Sequence, residues 1–345
     1  MDYIARALES GISELVEYLS AHTLTCLVPA FFIAGAIAVF VSKQSVIKYF
    51  GRDTKRYISY GVASVSGCIL AACSCTVIPL FAGISRRGAG IGPAATFLYS
   101  GPAINILAIS LTAKVLGFEI GVARAVMAII MAIVIGLIME MVFEKRSERP
   151  SSAAPALASE PGYGKRTAIL FVNLVFILLA GTAAVGNVVK IPMVIGLVVA
   201  AALITVRWIP RDEAKMWGQE TLSLFKMIFP LLLIGVFTAG LIKEFMPPEY
   251  VATYVGSNSI VSNLTASVAG AFMYFATLTE VPIIESLTSL GMHKGPELAL
   301  LLAGPALSLP NMLAIRQVMG TKKTTVYVSL VVVFATLSGF AYGAL

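Results

Sequence analysis

Apolar runs about as long as a bilayer-spanning helix recur along nearly the whole chain, separated by short polar stretches. They fall at roughly 24–42, 57–84, 90–113, 119–143, 167–186, 190–208, 221–243, 260–285, 294–316 and 324–344. The strict alternation of an outer-membrane barrel is absent from them. The pattern predicts an all-α polytopic membrane protein with about ten hydrophobic segments. Ahead of them, Ile4, Leu8, Ile12, Leu15 and Leu19 recur at helical spacing among Asp2, Glu9, Glu14 and Glu17. That reads as a short amphipathic helix at the membrane interface, not as a cleavable signal.

One polar stretch is long. Residues 144–166 are charged and rich in Pro, Ser and Ala, the composition of a flexible linker. It closes an N-terminal unit, 1–143, and leads to two connecting spans over 167–220 and a C-terminal unit over 221–345. Shifting the chain by 203 residues lays one unit on the other. Ala63-Ser64-Val65 meets Ala266-Ser267-Val268, Gly67 meets Gly270, Pro79 meets Pro282, and Gly88 meets Gly291. Gly92-Pro93 then meets Gly295-Pro296, and Gly101-Pro102-Ala103 meets Gly304-Pro305-Ala306. Pro29 corresponds to Pro230, and Asn105 to Asn311 after a short insertion. Paired segments interrupted by Gly and Pro in two halves of an apolar chain are the pattern of a transporter. The expected breaks are at Pro79, Gly101-Pro102, Pro282 and Gly304-Pro305.

Ten full crossings would make the two repeats parallel. Lysine and arginine would then divide almost evenly between the two faces, which is unusual for a helical membrane protein. The loop after the first segment is basic, whereas its repeat mate carries Lys243 against Glu244 and Glu249. Opposite charge in matching loops is the mark of an inverted repeat. We therefore expect one segment per half to re-enter without crossing, at the Pro79–Gly101 stretch.

Composition agrees with this class. The chain is 58% hydrophobic and only 12% charged, with a mean hydropathy of +0.89. A soluble domain carries about 25% charged residues. The net charge of +7 sits mostly in short loops and gives no reason to invoke nucleic acid. No hydrolase elbow, phosphate loop or dinucleotide fingerprint occurs, so neither an enzyme nor a bound cofactor is expected.

Candidate chemistry gathers at the breaks. Cys68, Cys73 and Cys75 lie within eight residues in an apolar segment that runs on to Pro79. On an unbroken helix Cys68 and Cys75 would be about 10.5 Å apart along the axis, and Cys73 and Cys75 about 200° apart. Unwinding over Ser74–Ile78, driven by the N–H that Pro79 lacks, would let Cys73 and Cys75 converge. Two or three thiolates suit a soft acceptor such as Cu(I), Zn(II) or trivalent arsenic, with Cys73 and Cys75 as the metal ligands in the first two cases. Buried cysteines also serve as plain packing residues. Glu280 is a carboxylate inside a span, one residue from the repeat mate of Ser-Cys-Thr, and so a candidate for proton coupling. Glu285 reads as an interface residue and Glu297 as a helix-start acid. Asn105 and Asn311 could bind a substrate or satisfy backbone groups freed by the breaks. Cys26, His22 and His293 form no evident site.

Cys73-Ser74-Cys75 with Pro79-Leu80-Phe81, the Gly88–Asn105 run GAGIGPAATFLYSGPAIN and its Gly-Pro-Ala echo at Gly304 resemble the arsenical-permease-like family of predicted bacterial and archaeal permeases. The resemblance covers nearly the whole chain. It implies an inner-membrane permease whose better-known relatives export trivalent organoarsenicals such as methylarsenite through membrane cysteines. By position, Cys73 and Cys75 come first as substrate ligands and Cys68 next. Related permeases are associated with other soft metals, so copper or zinc efflux is the alternative. A membrane thiol–disulfide electron carrier would need a second thiol in the other half. There Ala276 and Leu278 match Cys73 and Cys75, and no cysteine follows residue 75. The partners expected are a small thiol-reactive substrate and the lipid bilayer.

Overall fold

The computed structural model describes residues 2–20, 27–40, 49–50, 54–70, 74–144, 165–182, 187–245, 254–273 and 280–345. Among these residues the chain is helical, with no strand. The first unit contains α1 (Asp2–Tyr18), α2 (Val28–Phe40), α3 (Arg56–Leu70), α4 (Ser74–Arg86), α5 (Ile91–Ala103), α6 (Ile106–Val115) and α7 (Phe118–Phe143). Two connecting helices follow, α8 (Lys165–Thr182) and α9 (Asn187–Trp208). The second unit contains α10 (Arg211–Phe245), α11 (Ile260–Phe272), α12 (Glu280–Ser289), α13 (Lys294–Leu307), α14 (Leu309–Met319) and α15 (Thr321–Gly343).

Helix bounds in the two units recur at the sequence offset. The positive-φ glycines of the described residues fall in two such pairs, Gly88 with Gly291 and Gly117 with Gly320. The first pair turns α4 into α5 and α12 into α13; the second starts α7 and α15. A left-handed φ costs a side-chain-bearing residue energy, so glycine is needed at all four turns.

The 26 residues of α7 span roughly 39 Å, enough to cross a bilayer, and make a ruler for the rest of the fold. Near its start, Glu119 lies 3.6 Å from Lys294 at the head of α13. At its end, Glu144 accepts the backbone N–H of Ile91, at the head of α5, over 2.6 Å. Residues 91 and 294 are repeat mates, so the two units enter the membrane from opposite faces. The repeats are inverted.

The short helices then fall into place. Arg56, at the start of α3, pairs with Glu140 near the end of α7 at 2.9 Å, and Gly90, just after α4, donates to the carbonyl of Phe50. Both ends of the α3–α4 unit therefore lie at the face where α7 ends. Thirteen to fifteen residues per arm reach only about 20 Å, so the pair is a hairpin that enters and returns. The α11–α12 unit does the same from the other face: His293, the repeat mate of Gly90, donates to the carbonyl of Val255, and Asn258 donates to Phe340 at the end of α15. The re-entrant segment is thus 56–86, not the Pro79–Gly101 stretch, which supplies its returning arm, the surface turn and the next helix. Among the described residues α7, α9, α10 and α15 are long and apolar enough to cross, and the bent pairs α5–α6 (43°) and α13–α14 (48°) raise the number to six. With the shorter apolar helices α2 and α8 and the two hairpins, the ten hydrophobic segments are accounted for.

The core is built by α5 and α13. Every residue from Gly92 to Ala103, and from Gly295 to Leu307, is buried. These helices cross where the Tyr99 hydroxyl donates to the carbonyl of Leu302, 203 positions away, over 3.1 Å. A residue touching its own repeat mate lies close to the pseudo-two-fold axis. Each core helix is drawn against its long neighbour by a glycine pair. Gly92 faces the carbonyl of Gly136 on α7, and Gly295 that of Gly339 on α15. Small residues let helix backbones approach closely where lipid offers no hydrophobic driving force. Around this core, α8 and α9 pack on each other and α8 packs on α2, while Ile195, Leu203 and Val206 of α9 remain exposed, as lipid-facing residues are. The amphipathic α1 docks along α10, with Gly11 against Phe237 and the Ser10 hydroxyl on the Gly240 carbonyl at 2.9 Å. Its opposite side exposes Leu8, Ile12 and Val16.

Candidate functional site

Among the described residues two helix interruptions lie within the broken spans. α3 ends at Leu70 and α4 starts at Ser74, while α11 ends at Phe272 and α12 starts at Glu280. The spans break at Ile104–Asn105 and at Ser308. In each half the returning arm of the hairpin packs on the broken span of the other half: α4 on α14, and α12 on α6. Non-helical backbone within a span is tolerated where protein or a water-filled cavity surrounds it.

The prolines do not themselves sit at these interruptions. Pro79 lies inside α4, which is helical from Ser74, so the chain is not unwound over Ser74–Ile78 as expected. The reason is local. Pro79 is six residues into the helix, where the only bond its ring removes is that to the carbonyl of Cys75 in the first turn. Pro282 likewise occupies the first turn of α12. Gly101 and Pro102 close α5, and Gly304 and Pro305 precede the end of α13 by two or three residues. Pro79, Pro102 and Pro305 each leave one helix carbonyl without its usual donor.

The candidate residues lie at the ends of these helices. Cys68 is in the last turn of α3 and Cys75 in the first turn of α4. Cys73, and Cys26 near the first span, lie outside the described residues. Glu280 opens α12 and is fully buried, whereas Glu285 is exposed. Glu297 is buried in the first turn of α13, where the helix dipole favours an acid. Asn105 is buried at the α5–α6 break. At the α13–α14 break, Ser308 Oγ and Asn311 Oδ1 are buried without a hydrogen-bond partner among the described residues.

Sequence reading missed one member. Arg124, on α7, is fully buried and places Nη2 3.1 Å from Glu280 Oε2. Its Nη1 donates to Thr112 Oγ1 of α6 at 2.8 Å, and Thr112 in turn donates to the carbonyl of Ala108 at 2.7 Å. Arg124 Nε and Glu280 Oε1 have no partner among the described residues. The pair ties the second hairpin to the first unit across the pseudo-two-fold interface. The available signal was a single arginine inside a 26-residue apolar helix, a costly placement that usually marks a partner or a pathway. A buried pair of this kind gains little net stability over an apolar contact, yet breaking it is expensive.

Comparison with known proteins gives the chain its family. The family ArsP_1, described as "Predicted permease", matches residues 10–344. The UPF0718 protein MJ0584 of Methanocaldococcus jannaschii is 46% identical over 359 aligned positions, which cover 99% of this chain and 98% of that protein. The UPF0718 protein YraQ of Escherichia coli K12 is 28% identical over 123 positions, covering 36% of this chain and 35% of YraQ. No solved structure matches. With its inverted units, half-membrane hairpins and match along nearly its full length, the chain belongs to the ArsP_1 family of predicted permeases.

Proposed function

We propose that this multi-pass membrane permease exports a thiol-reactive soft species, a trivalent arsenical, across the cytoplasmic membrane by alternating access. The observation that carries the reading is the pairing of two oppositely inserted hairpins whose tips stop at mid-membrane, with Cys68 and Cys75 flanking one and Glu280 opening the other. Thiolates bind trivalent arsenic well, and a broken helix leaves room for the cargo to enter and leave. Cys73 and Cys75 are the first ligands, joined by Cys68, with Asn105 and Asn311 as polar neighbours at the broken spans. Glu280 is the group that exchanges protons during the cycle, and no nucleotide-binding motif competes with that source of energy.

The inverted arrangement also supports a sidedness. Lys55, Arg56, Arg86, Arg87, Arg211, Lys215, Lys322 and Lys323 gather at the face where α7 ends, against Lys114, Lys190 and Lys294 at the other. The positive-inside rule makes the first face cytoplasmic. Cells expressing the protein test the cargo through growth on methylarsenite, arsenite, copper and zinc. Protection against the arsenicals that disappears in Cys73→Ser and Cys75→Ser is the expected result. Undiminished protection in both variants removes the ligand role, and protection against copper or zinc alone assigns the same scaffold to a transition metal.

A further inference from the structure

The ion pair at the second hairpin tip has no charged counterpart in the first unit. At the 203-residue offset the counterparts of Arg124 and Glu280 are Tyr327 and Val77, and both are buried. One of the two repeat-related sites therefore carries an ion pair and the other no charged group. An alternating-access carrier built from inverted repeats exchanges the conformations of its halves, so this asymmetry makes the two directions respond differently to protons.

We propose that Arg124 is a coupling residue: it latches the α11–α12 hairpin shut through Glu280, and proton uptake by Glu280 releases that hairpin toward the face where α7 begins. The proton lands on Oε1, the carboxylate oxygen without a partner among the described residues, while Oε2 holds the guanidinium. Its source is water at that face. The guanidinium cannot lose its own proton, so the site passes from neutral to a charge of plus one. A fully buried cation left without its carboxylate must reach water or another anion. Opening of the hairpin supplies the water, because α12 leads directly to the surface turn at Gly291.

The surroundings leave Glu280 as the switching group. Arg124 on α7 and Thr112 on α6 hold the pair, and Tyr99 of α5 is within electrostatic reach of both charges. The other titratable residues on these elements stand away from the pair: Lys114 in the last turn of α6, Lys294 and Glu297 in the first turn of α13, Glu119 and Glu140 near the two ends of α7, and the exposed Glu285 on α12 itself. Among the described residues the face toward which the hairpin opens is the one poorer in lysine and arginine, so proton entry there accompanies cargo leaving the cytoplasm.

This deepens the permease reading above and rests on it, but its test needs no cargo. Hydrogen–deuterium exchange is followed on the full-length protein in lipid nanodiscs at several pH values, corrected for intrinsic exchange. Exchange over 280–289 should rise on acidification by up to about tenfold per pH unit, while 77–86, its repeat mate, stays constant. Glu280→Gln should exchange fast at every pH, and the double variant R124Q/E280Q should lose the pH response. A wild-type hairpin that ignores pH, equal responses in the two hairpins, or a double variant that still responds would each overturn the latch. Should either variant fail to fold, the wild-type comparison of the two hairpins decides alone. A flat profile with intact arsenical export would remove the latch and leave the permease reading standing.

Discussion

Removing either partner of the Arg124–Glu280 pair should destabilise the protein, but with opposite sensitivity to pH. Glu280→Gln leaves a guanidinium fully buried with Thr112 as its remaining partner, and a guanidinium cannot neutralise itself. The cost of such an uncompensated charge is about 3–5 kcal/mol, and it should hardly vary with pH. Arg124→Gln leaves a carboxylate, which sheds its charge by taking a proton. That costs about 1.36 kcal/mol for every pH unit above an ordinary carboxylate pKa near 4.3, or roughly 3.7 kcal/mol at pH 7 and about 1 kcal/mol at pH 5. The Arg124→Gln variant should therefore be most stable in acid and lose stability as pH rises. Removing both charges in R124Q/E280Q should restore most of the loss, because two buried charges leave together. Thermal unfolding of the purified protein in detergent at pH 5 and pH 7, analysed as a double-mutant cycle, gives the comparison. Equal pH dependence in the two single variants, or a double variant as unstable as the sum of the singles, would refute the reasoning.

Other consequences follow from packing and topology. A Cβ at Gly339 would lie 2.5 Å from the Gly295 carbonyl and 2.7 Å from Ala299 Cβ, and one at Gly136 would lie 2.8 Å from the Gly92 carbonyl. Gly339→Ala and Gly136→Ala should each cost about 1–3 kcal/mol from overpacking, whereas Gly196→Ala, with open space around it, should be neutral or gain slightly. Unfolding midpoints that fail to separate the two groups would argue against the tight α5–α7 and α13–α15 contacts. Cysteines introduced at Lys55 and Lys294, both exposed, should react with an impermeant maleimide from opposite sides of the membrane. Labelling from one side would return the repeats to a parallel arrangement. Tyr99→Phe removes one buried hydrogen bond at the pseudo-two-fold axis and leaves the Leu302 carbonyl without it, a loss of about 1 kcal/mol that the same unfolding assay reads.

The membrane class and the paired breaks were legible because bilayer thickness fixes segment length and because Gly and Pro punctuate helices. The offset that matched Gly88 to Gly291 also places two positive-φ turns. Charge in matching loops pointed to inversion. The depth of each segment was not legible, since a 28-residue apolar run reads alike as one span or as two arms meeting at a tip. Composition cannot distinguish them; the contact of Arg56 with Glu140 can. Pro79 misdirected the expected break, because proline is well tolerated near a helix start. Glu280 stood out as a carboxylate in an apolar stretch. Arg124 fulfilled the same criterion on α7 and went unpaired, because its partner is 156 residues away and only the fold brings them together.

In the proposed function the permease moves a soft, thiol-reactive cargo past the cysteines at the ends of α3 and α4. Inside-out membrane vesicles carrying the protein test it most directly, with methylarsenite uptake measured while a proton gradient is imposed. Gradient-dependent accumulation that is lost in Cys73→Ser and Cys75→Ser, and uncoupled from the gradient in Glu280→Gln, is the predicted result. Accumulation equal to that of vesicles lacking the protein, or uptake untouched by all three substitutions, would contradict it.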